Sequence, residues 1–113
     1  MAIDPGVPHL DPTELDDRID GEDPVVVFFY ADWCGFCRAF APEFATRAET
    51  LEHDAVAANI SDQTDPRWKR FSIDTVPTLI AFLEGQPVAR VEGRPGVGLE
   101  AEDVDRLVAD IPA

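Results

Sequence analysis

Two cysteines stand three residues apart, at Cys34 and Cys37 within Trp33-Cys34-Gly35-Phe36-Cys37, and the chain has no others. In sulfur chemistry the thiolate is the nucleophile, and it opens a disulfide through a mixed-disulfide intermediate. A pair at this spacing can complete that cycle: one sulfur attacks, and the other displaces the product by closing on the first. Two other readings fit the same spacing, half of a zinc site or a permanent structural disulfide. Structural zinc takes four ligands, and His9 and His53 complete no finger spacing with the pair. Permanent disulfides belong to oxidising compartments. The opening residues, Met1 to Gly6, carry neither the basic nor the apolar region of a secretory signal.

The flanking sequence must hold the pair in place. Val25-Val26-Val27-Phe28-Phe29-Tyr30 is β-branched and aromatic without polar alternation, as a central strand covered on both faces would be. After it, Cys37, Phe40, Ala41, Phe44, Ala48 and Leu51 fall on one helical stripe. Cys34 therefore sits at a helix start, among unpaired N–H groups that favour negative charge. Cys37 lies on the apolar stripe and should be shielded. Pro42 inside this helix predicts a kink.

Further out, Pro5, Gly6 and Pro8 make residues 1–10 an irregular arm, with room for a short edge strand around 7–10 and little functional role. Residues 11–113 form one domain, a size that suits a single core. Asp11-Pro12-Thr13-Glu14 has the form of a capping box, opening a helix that buries Leu15 and Ile19. Ala55 to Ile60 reads as a small-apolar strand, Asp65-Pro66 opens a short helix, and Thr78 to Leu83 is a third apolar strand. Trp68 and Phe71, on the short helix, are assigned to the core. Glu84-Gly85-Gln86-Pro87 turns into an antiparallel strand over 88–92. A glycine-rich loop follows over 93–98, then a last helix from about Leu99 that buries Val104, Leu107, Val108 and Ile111, with Glu100, Glu102 and Asp103 near its positive end. The order β-α-β-α-β-α-β-β-α describes an α/β layered domain.

The formal net charge is −14, and Lys69 is the only lysine. Nucleic acid is excluded as a partner, because a phosphate backbone needs a basic footprint. No apolar run approaches the ~18 residues of a membrane span. Such a balance suits either an ordinary acidic domain or one working in a salty cytoplasm, where a Debye length of ~3 Å near 1 M salt damps the self-repulsion.

With Thr75-Val76-Pro77-Thr78 about forty residues beyond the cysteines, Pro42 five residues after the second of them, and glycines at Gly85 and Gly93, the chain resembles the thioredoxin family over essentially its whole length. The resemblance implies a thioredoxin fold, a central mixed β-sheet of four to five strands flanked by four helices, with a cis peptide at Val76-Pro77. It implies Cys34 as nucleophile and Cys37 as resolving cysteine. The substrate groove would be lined by Trp33, around an exposed sulfur, and by Gly35, Phe36, Thr75, Val76, Pro77 and Gly93. The activity implied is that of a cytoplasmic protein-disulfide reductase, a monomer without cofactor or metal, acting on protein disulfides and recharged by a flavin-dependent thioredoxin reductase.

Two positions depart from the family pattern. The buried acid six residues before the first cysteine, a proton acceptor in many members, is Phe28 here, and the lysine that partners it aligns with Ala57. Phe36 replaces a proline between the cysteines, which suggests a more oxidising pair and keeps open a thiol oxidant or isomerase, or a redox-sensing binding module. Asp32 and Arg38, beside the motif, read as solvated surface.

Overall fold

The computed structural model describes residues 2–112; Met1, at the start of the expected arm, and Ala113, at the end of the expected domain, lie outside them. The chain runs α1 (Pro12–Ile19), β1 (Val25–Tyr30), α2 (Gly35–Ala48), β2 (Asp54–Asn59), α3 (Arg67–Arg70), β3 (Thr78–Leu83), β4 (Gln86–Glu92) and α4 (Ala101–Ala109). The four strands form one sheet in the order β2-β1-β3-β4. β1 and β2 are parallel, while β3 runs antiparallel to both β1 and β4. This four-stranded mixed sheet with four helices is the thioredoxin fold.

The unbroken apolar run of β1 is explained by cover on both faces, and all six of its residues are buried. Phe28 and Tyr30 point to one side, where Phe28 meets Phe40 and Phe44 of α2 at ring-centroid distances of 5.4 and 5.2 Å. Phe29 points to the other, against Phe71 and Phe82 at 5.4 and 6.5 Å. The alternation of the pleat thus splits the aromatic content into two clusters, and α2 rests on the first. Pro42 lies inside α2, which continues through it to Ala48.

The edge strand expected at 7–10 is reduced to one parallel bridge, His9 to Ala57. The Ala57 amide donates to Pro8 O, and Leu10 N donates to Ala57 O, both at 2.9 Å. Pro8 and Pro5 have no N–H to extend that ladder. Before the bridge, the arm lies on α2. A Cβ at Gly6, whose φ is +69°, would stand 2.5 Å from Ala45 Cβ, so only glycine permits the approach. β2 begins one residue earlier than its apolar pattern suggests, at Asp54, and Ile60 N still bonds Tyr30 O at 2.8 Å.

Asp103, read from the sequence as part of a charged helix start, is fully covered. Its carboxylate accepts the Glu100 N–H at 2.8 Å and pairs with Arg94 and Arg106, each at 3.2 Å. Burial raises its pKa, but that N–H and the two guanidiniums outweigh it and hold the carboxyl below the ordinary range.

Candidate active site

Cys34 is the N-cap of α2, with extended φ and ψ of −96° and 110°. That conformation turns its side chain back over the first helical turn, where Sγ accepts the Cys37 N–H at 3.1 Å. It is an N-cap bond with sulfur in place of the usual oxygen. The Sγ also lies 3.4 Å from Val76 O, to which its thiol donates. The expectation of an exposed sulfur is corrected here: Cys34 is 8 % exposed, and what projects into solvent is Trp33 at 55 % and Phe36 at 45 %.

Cys37 is completely buried. Burial pushes its thiol pKa well up, and the hydrogen bond and charge of Cys34 add to the rise. Cys37 thus stays a protonated thiol while Cys34 is the sulfur within reach. The two sulfurs are therefore unequal in exposure, with Cys34 at 8 % and Cys37 at 0 %.

At the position where the family resemblance places an acid, this chain has Phe28. Phe28 is buried among Tyr30, Phe40 and Phe44, and it stands directly opposite Ala57 in the parallel ladder. The two positions of the missing ion pair are therefore adjacent on one sheet face, and both are filled by apolar side chains. Losing both together leaves no unpaired charge in the core. Tyr30, next on that face, is hydrogen-bonded to Asn59, and its hydroxyl pKa is raised by burial and then by the negative charge of Asp32.

Asp32 departs from its reading as solvated surface. Its carboxylate accepts Ile3 N at 2.9 Å and Asn59 Nδ2 at 3.0 Å, and its own N–H donates to Ser61 Oγ at 2.8 Å. The Arg38 guanidinium donates to its carbonyl at 3.0 Å. The arm, the end of β2 and the start of α2 are tied together through this one residue, so the arm supports the turn that carries Cys34. Trp33 continues the connection, donating Nε1–H to Ser61 O at 2.8 Å.

On the opposite side of the cysteines, the Val76–Pro77 peptide is cis. Thr75 O accepts from Thr78 Oγ1 at 2.7 Å, which fixes the turn that brings Val76 O to Cys34. Gly93 N donates to Pro77 O at 2.8 Å, and a Cβ at Gly93 would lie 3.0 Å from that oxygen. Beyond it, the 93–98 loop closes through an Arg94–Gly98 bridge and meets Phe36: a Cβ at Gly98 would come within 2.9 Å of Phe36 Cβ. Val76 O thus lies at Cys34, Gly93 backs Pro77, Thr75 and Thr78 close the turn between them, and Phe36 meets the 93–98 loop, while Trp33 is anchored on the other side at Ser61. Gly35 opens the helix with nothing within 4 Å of where a Cβ would be, so a side chain there would meet only solvent.

Trp68, assigned to the core from sequence, is half-buried and lies parallel to Trp33, with an interplanar angle of 6° and centroids 6.4 Å apart. Its Nε1–H is shared between Ile60 O at 3.1 Å and Asp62 O at 3.2 Å. Periodicity could not show this, because α3 is only four residues long. Among the described residues, no group of three or more His, Cys, Asp or Glu side chains is arranged to hold a metal ion.

A family model described as Thioredoxin matches residues 6–103. Thioredoxin from Mycobacterium tuberculosis is 33 % identical over 96 residues, covering 84 % of this chain and 83 % of that one. A bifunctional thioredoxin reductase/thioredoxin from Mycobacterium leprae is 32 % identical over 96 residues, which are 84 % of this chain and 21 % of that protein. Among solved structures, a single-site mutant of thioredoxin from Halobacterium salinarum is 33 % identical with a TM-score of 0.73, covering 100 % of this chain and 98 % of its own.

Proposed function

The chain belongs to the thioredoxin family of thiol-disulfide oxidoreductases, and on that premise we propose that it is a protein-disulfide reductase working as a monomer in the cytoplasm. The observation that carries this reading is the unequal pair: Cys34 Sγ, slightly exposed and held by the Cys37 N–H, and the Cys37 thiol wholly buried. The Cys34 thiolate attacks one sulfur of a substrate disulfide, the S–S bond breaks, and the departing sulfur leaves as a thiolate and takes a proton from water. Cys37 then gives up its proton and attacks Cys34 Sγ, releasing the second substrate thiol. The substrate gains two electrons and two protons, and the protein is left with a Cys34–Cys37 disulfide. No bound cofactor takes part in these steps.

Recharging requires an external dithiol donor. A flavin-dependent thioredoxin reductase is proposed, supported by the fusion of the two activities named for the Mycobacterium leprae relative. The net charge of −14 with a single lysine supports work in high salt. A second reading, a more oxidising thiol oxidant or isomerase, is favoured by Phe36 between the cysteines.

With dithiothreitol as reductant, the protein should accelerate reduction of insulin disulfides in high salt, and Cys34→Ser should not. Equal rates for the two proteins would end the catalytic reading. Equilibration with glutathione separates the two directions: a pair that ordinary glutathione mixtures oxidise is a reductant.

A further inference from the structure

Beside the cysteine turn lies a recess that the exchange chemistry leaves unused. It is lined by Trp33, Gln63, Trp68 and Asp74. Both indole N–H groups are spent on the 60–62 segment, on Ser61 O for Trp33 and on Ile60 O and Asp62 O for Trp68. The two side chains therefore line the recess with aromatic carbon and no free N–H donor, and the faces of such rings carry the negative side of the aromatic quadrupole. Asp74 adds an exposed carboxylate that makes no ion pair among the described residues. The nearby arginines of α3 are engaged elsewhere, Arg67 with Asp65 and Arg70 with Asp16, and Lys69 is not in the lining. The lining thus consists of two aromatic rings, a neutral amide and a carboxylate, with no cationic group among them.

Resting on the reductase reading above, we propose that this recess receives a cationic side chain, arginine or lysine, that flanks the reactive cysteine of a protein-disulfide substrate. Trp33 directly precedes Cys34, and Asp74 lies two residues before Val76, whose carbonyl is 3.4 Å from Cys34 Sγ. An extended segment advances roughly 3.3 Å per residue, so the recess, which shares Trp33 with the cysteine turn, is to be reached by a long side chain one or two positions from the attacked sulfur. A guanidinium there gains a ring face and a carboxylate at once. Because both indoles are held by hydrogen bonds before any substrate arrives, little ordering is required on binding. The recess selects which disulfides are reduced, while the cysteines supply the reaction.

The test uses the pre-reduced full chain in single-turnover reactions with three disulfide peptides, identical except for arginine, norleucine or glutamate beside the cysteine. The arginine peptide should react about tenfold faster than the glutamate peptide, with norleucine between them. Asp74→Lys should bring that ratio to one or below. Glu22→Lys, the same charge change just before β1 and so at the end of that strand away from Cys34, should leave the ratio in place. Trp68→Leu should lower it. The proposal is overturned if norleucine is fastest, which marks an apolar pocket, or if Asp74→Lys and Glu22→Lys shift the ratio equally, which marks only the net charge. If no peptide is reduced, the reductase reading falls and takes the proposal with it; if all are reduced at one rate, the proposal alone falls.

Discussion

The Cys37 N–H donates to Cys34 Sγ across 3.1 Å, so the sulfur of one cysteine is held by the backbone of the other. Iodoacetamide added to the reduced protein should therefore modify Cys34 and spare Cys37, which is wholly buried with its pKa pushed up. Peptide mapping after limited alkylation checks this. Equal labelling of both cysteines would contradict the asymmetry.

Phe28 and Ala57 face each other across the β1–β2 ladder where an acid and a lysine commonly stand in the family. Placing the acid alone, as Phe28→Asp, removes a ring from the cluster with Phe40 and Phe44 and buries a charge. It should cost about 3–5 kcal/mol. Adding Ala57→Lys should recover part of that loss, and a denaturant double-mutant cycle measures the coupling. An additive cycle would show that the two positions no longer communicate.

Asp32 links the N-terminal arm to the cysteine turn. The Ile3 N–H, followed by the Asn59 and Ser61 hydrogen bonds, pulls its carboxyl below the ordinary value of 3.8 against the opposing effect of burial. A depressed folded-state pKa contributes stability above the unfolded value, and that contribution is lost as pH falls through the folded one. Asp32→Ala should cost about 1 kcal/mol near neutrality. Its difference from the parent should close as the pH is taken below 3.8. A gap that stays constant across the acid limb would show that the ionised carboxylate is not what holds the arm.

Gly98 holds φ at +76°, and a Cβ there would meet the Phe36 ring at 3.1 Å. Gly98→Ala should destabilise the protein by about 1–2 kcal/mol through the left-handed backbone alone, with a further loss from displacing Phe36. In a Phe36→Ala background the part due to the ring should disappear, while the 2.9 Å approach to the Cβ at position 36 and the backbone part persist. Thermal unfolding of the four proteins separates the two.

Much of this arrangement is legible in the sequence because local signals agree. The apolar run of β1, the capping box at Asp11 and the stripe from Cys37 to Phe44 each depend on residues close in the chain, and each stands where its local pattern puts it. What is not legible depends on distant partners. Asp32 reads as surface until Ile3 and Asn59, 29 and 27 residues away, are brought to it. Trp68 on a four-residue helix has too short a period to show its face. Asp103 is an ordinary first-turn acid until Arg94 folds over it.

Whether Cys34 attacks and Cys37 resolves is decided by trapping the intermediate. Cys37→Ser, reduced and mixed with a protein disulfide, should accumulate a mixed disulfide, and intact mass followed by peptide mapping should place it on Cys34. Cys34→Ser should accumulate none. An adduct on Cys37 in the Cys34→Ser protein, formed as fast as that on Cys34, would contradict the assignment.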